Sequence, residues 1–364
     1  MILHRYFARR FLIAFLGVAA VFFLLILFID LVDQLRRFGG EDVGFVDLLA
    51  LSLLNLPQTL YRFLPLIMIL AAISLFLSLA RSSEMVVTRA AGRSAMRALL
   101  APLTVALLIG MVGVMILNPI VAATSKQYEQ RSDALRGDAS VLAIGSSGLW
   151  LRQGGTQGQT VIRAQSANLD GTRLSNVTFI TFDDAGRPSR RINAETASLT
   201  DGAWVMRNAK SWALQDKITP EAAAIVQDQL SISSTLTADQ IRDSFGTPSS
   251  IPIWGLPEFI DRLRTAGFSA QRHLVWFHTE LAMPVFLVAM VLIGASFTLR
   301  HQRGGRTGLM VMLAVLLAFV IYFIRNFAQV LGENGQLPAL LAAWAPPIAA
   351  IALSLGVILH NEDG

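Results

Sequence analysis

Two clusters of charge at the ends of apolar runs are the residues of this chain best suited to chemistry. The first run closes as FIDLVDQLRRFGG, with Asp30 and Asp33 followed by the adjacent pair Arg36 and Arg37. A guanidinium is planar, forked and charged at any relevant pH, so such a pair suits phosphate oxygens. A local reading competes with this one: Asp33 stands four residues before Arg37, and an i,i+4 ion pair is ordinary at a helix end. That would leave Arg36 as the free cation. The second cluster is RSSEMVVTRAAGRSAMR, Arg81 to Arg97. Ser82 or Ser83 can cap a helix there, and Glu84 then lies in its first turn, where the helix dipole favours an acid. Arg89, Arg93 and Arg97 form an i,i+4 stripe, with Met85, Val86, Val87 and Ala91 on an apolar side. Gly92 can end that helix and Ser94 can cap the next. A short amphipathic helix held between two spans is a docking element; a plain basic loop is the competing reading.

Other chemistries lack their residues. There is no cysteine, and His4, His273, His278, His301 and His360 do not fall at metal-ligand spacing. No G-x-x-x-x-G-K-[ST] occurs, so ATP energy must come from another subunit. His278 and Glu280 sit near a span end, where a lone pair of this kind is more often solvated or ion-paired than catalytic. No cofactor is expected, and the chain reads as no enzyme.

The elements that position these residues are mostly membrane spans. Hydrophobic residues make up 54% of the 364, only 15% are charged, and mean hydropathy is +0.54, which puts the chain in the multi-span class. All but three of the 30 basic residues are arginine, dispersed at span ends instead of lining a nucleic-acid groove. The run Phe11–Phe28 follows Arg5, Arg9 and Arg10, is too long for a signal peptide, and reads as a retained first span. Gly44–Ala80 is too long for one span; Pro57 divides it, with Phe45–Leu56 lying along the interface and Tyr61–Ala80 crossing. Ala98–Leu117 crosses next, and Asn118-Pro119 marks its exit. Three further spans begin near Leu281, Leu309 and Leu337. Ten arginines (Arg5, Arg9, Arg10, Arg81, Arg89, Arg93, Arg97, Arg300, Arg303 and Arg306) fall on one side at short flanks. Arg36, Arg37, Arg62 and Arg325 fall on the other. The positive-inside rule then places both termini in the cytoplasm and the large central insert outside.

That insert is different in kind. Val141–Leu151, Thr160–Leu169, Leu174–Phe182, Arg191–Leu199 and Ala203–Leu214 read as strands, with Asp184-Ala185-Gly186 and Thr200-Asp201-Gly202 as turns. Val177 and Phe179 alternate with polar neighbours, as do Trp204 and Met206, so each strand has one buried face. The expected fold is therefore six transmembrane helices with an all-β, jelly-roll-like domain inserted between helices 3 and 4. Residues 1–120 hold the first three spans, with a connector helix at about 82–92. Residues 121–250 hold the β domain, 251–270 a helical return (Leu256–Ala266 and, before it, Thr237–Phe245), and 271–364 the last three spans.

SSEMVVTRAAGRS closely resembles the connector after the second span in the LptF/LptG family of lipopolysaccharide-export permeases. The three-spans, β-domain, three-spans layout resembles that family over the whole chain. VDQLRR at Val32–Arg37 and SGLWLR at Ser147–Arg152 resemble the LptG branch. The resemblance implies a permease subunit in the bacterial inner membrane that extracts lipopolysaccharide from the outer leaflet and passes it through a periplasmic jelly roll. It implies as partners LptB-like cytoplasmic ATPase subunits, a second, LptF-like permease, and a single-span LptC-like protein leading to the periplasmic bridge. Glu84, with Arg89, would face the ATPase. Arg36 and Arg37 would grip the lipid A phosphates. Phe22 and Phe28 of the first span and Phe319 and Phe323 of the fifth would meet the acyl chains, and Arg131 and Arg136 would offer polar contacts at the base of the β domain. One position departs: LptG chains often carry a lysine where this one has Asp30, which could pair with a basic residue of the second permease. The alternative function is an envelope scaffold whose β domain binds periplasmic proteins; such a scaffold needs neither six spans nor a docking helix.

Overall fold

In the computed structural model, residues 2–38, 44–82, 84, 95–136, 143–145, 148–155, 158–167, 172–183, 186–200, 202–214, 221, 224–234, 248–265, 269–298 and 307–363 are described. Six helices are long and apolar enough to cross a membrane. In lipid a spanning backbone must satisfy its own hydrogen bonds, so apolar runs of this length become helices. Helix α1 is Ile2–Phe38 and α2 is Phe45–Arg81. The third span is built from α3 (Ala95–Val112), a π-helical turn (Gly113–Leu117) and α4 (Asn118–Arg136). After the strands come α5 (Leu256–Thr265), α6 (Gln271–Thr298), α7 (Thr307–Glu333) and α8 (Ala339–Asp363). Helix α6 is the central span and packs on α2, α3, α7 and α8, whereas α1 packs on α2 and α3.

The expected break at Pro57 is absent. Helix α2 is one 37-residue helix with Pro57 and Pro65 inside it, so Phe45–Leu56 is no separate interfacial segment. Leu48, Leu51 and Leu56 are buried, and tertiary packing of this kind keeps the helix going past the hydrogen bond a proline cannot donate. The proposed connector helix at 82–92 lies outside the described residues apart from Ser82 and Glu84, as does Thr237–Phe245.

Spans come close where side chains are missing. A Cβ on Gly110 of α3 would fall 2.5 Å from the Cα of Pro284 in α6. Gly110→Ala should therefore push the two helices apart and destabilise the purified chain by about 1–3 kcal/mol, the usual cost of overpacking. An unchanged thermal midpoint would mean the contact is slack.

The chain divides into two compact units. One is Met1–Ser132 with Ser249–Trp254 and Gln271–Gly364; the other is Asp133–Pro248 with Gly255–Ala270. The second holds one seven-stranded antiparallel sheet, β1 (Ala143–Gly145), β2 (Gly148–Gly155), β3 (Gly158–Ala167), β4 (Arg173–Phe182), β5 (Pro188–Thr200), β6 (Ala203–Ala213) and β7 (Ile225–Ser233). Every strand pairs with the next in chain order. The inserted all-β domain is as expected, and its pairing is a meander.

A bend gives this meander its interior. Strict alternation would put Leu174 and Val177 on opposite faces, yet both are buried, as are Ala194 with Ala197 and Met206 with Ala209. These pairs line up across three strands: Leu174 opposite Ala197, Val177 opposite Ala194, and Ala197 opposite Met206. Between them Asn176 and Asn208 both have φ of 50°, the left-handed conformation asparagine tolerates. The Asn208 amide donates to Glu195 on the strand between at 2.6 Å. The three strands thus turn along one line and keep their apolar sides on one core.

Candidate functional site

The charged cluster at the first end of α1 is assembled from two elements. Glu84 accepts a hydrogen bond from Ser82 Oγ at 2.8 Å, and its carboxylate lies 3.2 Å from the Arg10 guanidinium. Arg10 in turn lies over the ring of Tyr6, 5.0 Å from its centroid. Arg89 and Arg93 are outside the described residues.

At the other end of α1, both readings of the arginine pair find a place. Arg37 is bonded to Asp33 at 2.8 Å, the i,i+4 pair that spacing suggests. Arg36 is exposed and forms no ion pair among the described residues. Asp30 is engaged within the chain: the Asn55 amide donates to its Oδ1 at 2.6 Å, while Oδ2 is buried with no hydrogen-bond partner among the described residues. The Gln34 amide donates to the Tyr128 hydroxyl at 3.0 Å, and Arg131 lies exposed one turn further along α4. The side chain of Arg136 is outside the described residues.

The four phenylalanines divide. Phe28 on α1 and Phe319 and Phe323 on α7 are 62–69% exposed. Phe22 is half-buried against Phe63 of α2, 6.2 Å between ring centroids. Helix α7 packs on α6, α8 and α2, and no substantial contact joins it to α1. One chain therefore does not bring the two aromatic faces together. In the sheet, Val177 and Phe179 are sealed, Phe179 packing edge-on against Trp204, so both are core residues here.

Sequence reasoning missed a buried polar belt between the spans. Glu280 of α6 is only 2% exposed. Its carboxylate accepts hydrogen bonds from the Tyr61 hydroxyl of α2 and, at 3.2 Å, from the Asn118 amide at the start of α4. The carbonyl of the same Asn118 side chain accepts from the backbone N–H of Ile253 at 2.9 Å. One turn along α2, Gln58 donates to Ser249 and accepts from Ser125, each at 3.2 Å. The segment Ser249–Trp254 is thereby tied directly to α2 and the third span, and through Asn118 to α6. Its sequence signal was available: Asn55, Gln58 and Tyr61 recur every three residues in an otherwise apolar helix, a polar stripe that lipid would not tolerate unpaired. The π turn supplies the rest. It directly precedes Asn118 and sets the angle at which that residue leaves the helix.

The architecture of six spans around an inserted sheet coincides with a known family. Residues 5–360 match the lipopolysaccharide export system permease LptF/LptG. The chain belongs to the LptF/LptG family. Its relatives include the lipopolysaccharide export system permease protein LptG of Haemophilus influenzae, 25% identical over 345 residues covering 92% of each chain. LptG of Escherichia coli is 23% identical over 340 residues, 92% of this chain and 91% of that one. LptF/LptG proteins are transport permeases, so the Glu280 belt is read as architecture within a multi-pass membrane protein, and the two ends of α1 are where function is sought.

Proposed function

We propose that this chain is one of two permease subunits that lift lipopolysaccharide out of the outer leaflet of the bacterial inner membrane, powered by a separate LptB-like cytoplasmic ATPase. The observation that carries the reading is the Arg36–Arg37 end of α1, where an exposed arginine with no ion pair among the described residues stands beyond a strip of exposed aromatic and aliphatic side chains. That combination fits an amphiphile with phosphates at its head and acyl chains below. Helices α1 and α7 expose such strips without packing on each other, so a second, LptF-like permease supplies the facing walls. The excess of arginine at the Arg10–Arg81 end supports cytoplasmic termini and a periplasmic sheet. From the lateral opening the lipid moves through the sheet unit to an LptC-like protein and the periplasmic bridge, and Glu84 receives the ATPase.

The test uses the complete complex in proteoliposomes, with a photo-crosslinker at Val177 or Phe179. Both positions are sealed in the core, so lipid reaches them only if the two halves of the sheet part. Capture of lipopolysaccharide during ATP hydrolysis, and not before it, is the expected result. Capture without ATP, or none during turnover, rules out a route through the sheet.

A further inference from the structure

The carboxylate of Glu84 is held by more than its own segment. Ser82 donates to it and the Arg10 guanidinium sits 3.2 Å away. Tyr6 and Arg10 are one turn apart on α1 and stack on each other, so the ion pair joins Glu84 to a different element. That end of α1 is anchored: Phe7 and Phe11 are 2% and 0% exposed. Helix α1 is a single helix of 37 residues without proline, and from Arg10 to Arg36 it rises about 39 Å at 1.5 Å per residue. An exposed ion pair adds little stability. What this one does is fix the carboxylate to the near end of a long helix whose far end carries the cationic pair.

We infer that Arg10, seated on Tyr6, is a positioning residue that joins Glu84 to α1, so that α1 carries movement of the connector to the Arg36–Arg37 end as a single strut. Arg10 itself touches neither nucleotide nor lipid. The inference rests on the proposed role of Glu84 as the acid facing the ATPase. Helix α1 is suited to move as a unit, because its middle turns present Ile13, Leu16, Val21 and Leu24 outward and it packs on α2 and α3 alone among the spans with substantial contact.

The chain has no cysteine, so Val32→Cys gives it one spin-label site near the far end of α1. In the assembled complex the label should change its spectrum with nucleotide state. Arg10→Glu should abolish that change and cut lipid-stimulated ATP turnover roughly fivefold or more, the scale expected when an exposed charge pair turns from attraction to repulsion. Assembly and unstimulated turnover should persist. Arg10→Lys should retain most of both signals, and if Arg10→Glu does not assemble, the neutral Arg10→Gln decides. Glu84→Ala tests the parent reading separately: unchanged stimulated turnover there overturns the coupling role of Glu84, and the strut with it. If Glu84→Ala uncouples while Arg10→Glu keeps the nucleotide-dependent signal at position 32, the strut alone is overturned.

Discussion

Reversing the charge of both Arg36 and Arg37 should cut lipopolysaccharide capture by about a hundredfold and leave basal ATP turnover of the assembled complex intact. Hydrogen bonds to charged groups contribute about 1.5–3 kcal/mol each, so losing two removes at least about 3 kcal/mol, or two decades of affinity. The two arginines are not equal. Arg37 shares its guanidinium with Asp33, whereas Arg36 is exposed and forms no ion pair among the described residues. Arg36→Ala should therefore weaken capture more than Arg37→Ala. Asp33→Asn, which releases Arg37, should leave capture unchanged or strengthen it. Binding of radiolabelled lipopolysaccharide to the purified complex reads all four variants. Normal capture by the double reversal would reduce the pair to charges that keep the end of α1 at the water boundary.

Glu280→Ala should be the most damaging single change in the membrane body. It leaves the Tyr61 hydroxyl and one Asn118 N–H buried without their acceptor, each at a cost of about 1–3 kcal/mol. A total of about 3–5 kcal/mol is expected, the usual result of breaking a buried charged network from one side. Heat-induced loss of monodispersity in detergent measures it. His278→Ala, two residues away on the same helix and outside the network, is the control and should change little. If the two variants melt alike, the belt is not a structural tie.

The span count, the inserted strands and the Asp33–Arg37 ion pair could be read from residue order because each depends on local pattern, whereas the Arg10–Glu84 pair, 74 residues apart, could not. Apolar runs of spanning length leave the backbone no alternative to helix, and alternation such as Val177 and Phe179 marks a strand by itself. The i,i+4 geometry of Asp33 and Arg37 is likewise local. Glu280 was not legible in this way: Tyr61 lies 219 residues from it and Asn118 162, so only the folded chain turns a lone acid at a span end into the centre of a network. Pro57 misled for the same reason, since packing, not propensity, decides whether a helix survives a proline. Strand β7 escaped because IVQDQLSIS is largely exposed, with no aromatic residue to announce a core face. The parity change at Asn176 and Asn208 is invisible to a period-two reading, which takes Leu174 and Val177 for opposite faces.

The π turn at Gly113–Leu117 has a consequence best put in terms of phase. An α-helix advances each residue by about 100°, and a π turn absorbs one surplus residue without disturbing either flank. Everything from Asn118 onward is therefore one residue out of step with α3 below it. Asn118 faces Glu280 and Ile253 only because of that offset. Deleting a single residue from the turn would restore an ordinary helix and swing Asn118 about a quarter-turn out of the belt, and with it the rest of α4. The surplus residue is thus a spacer in angle, not in length: it lets the α3 half of the span pack by one register and the α4 half by another.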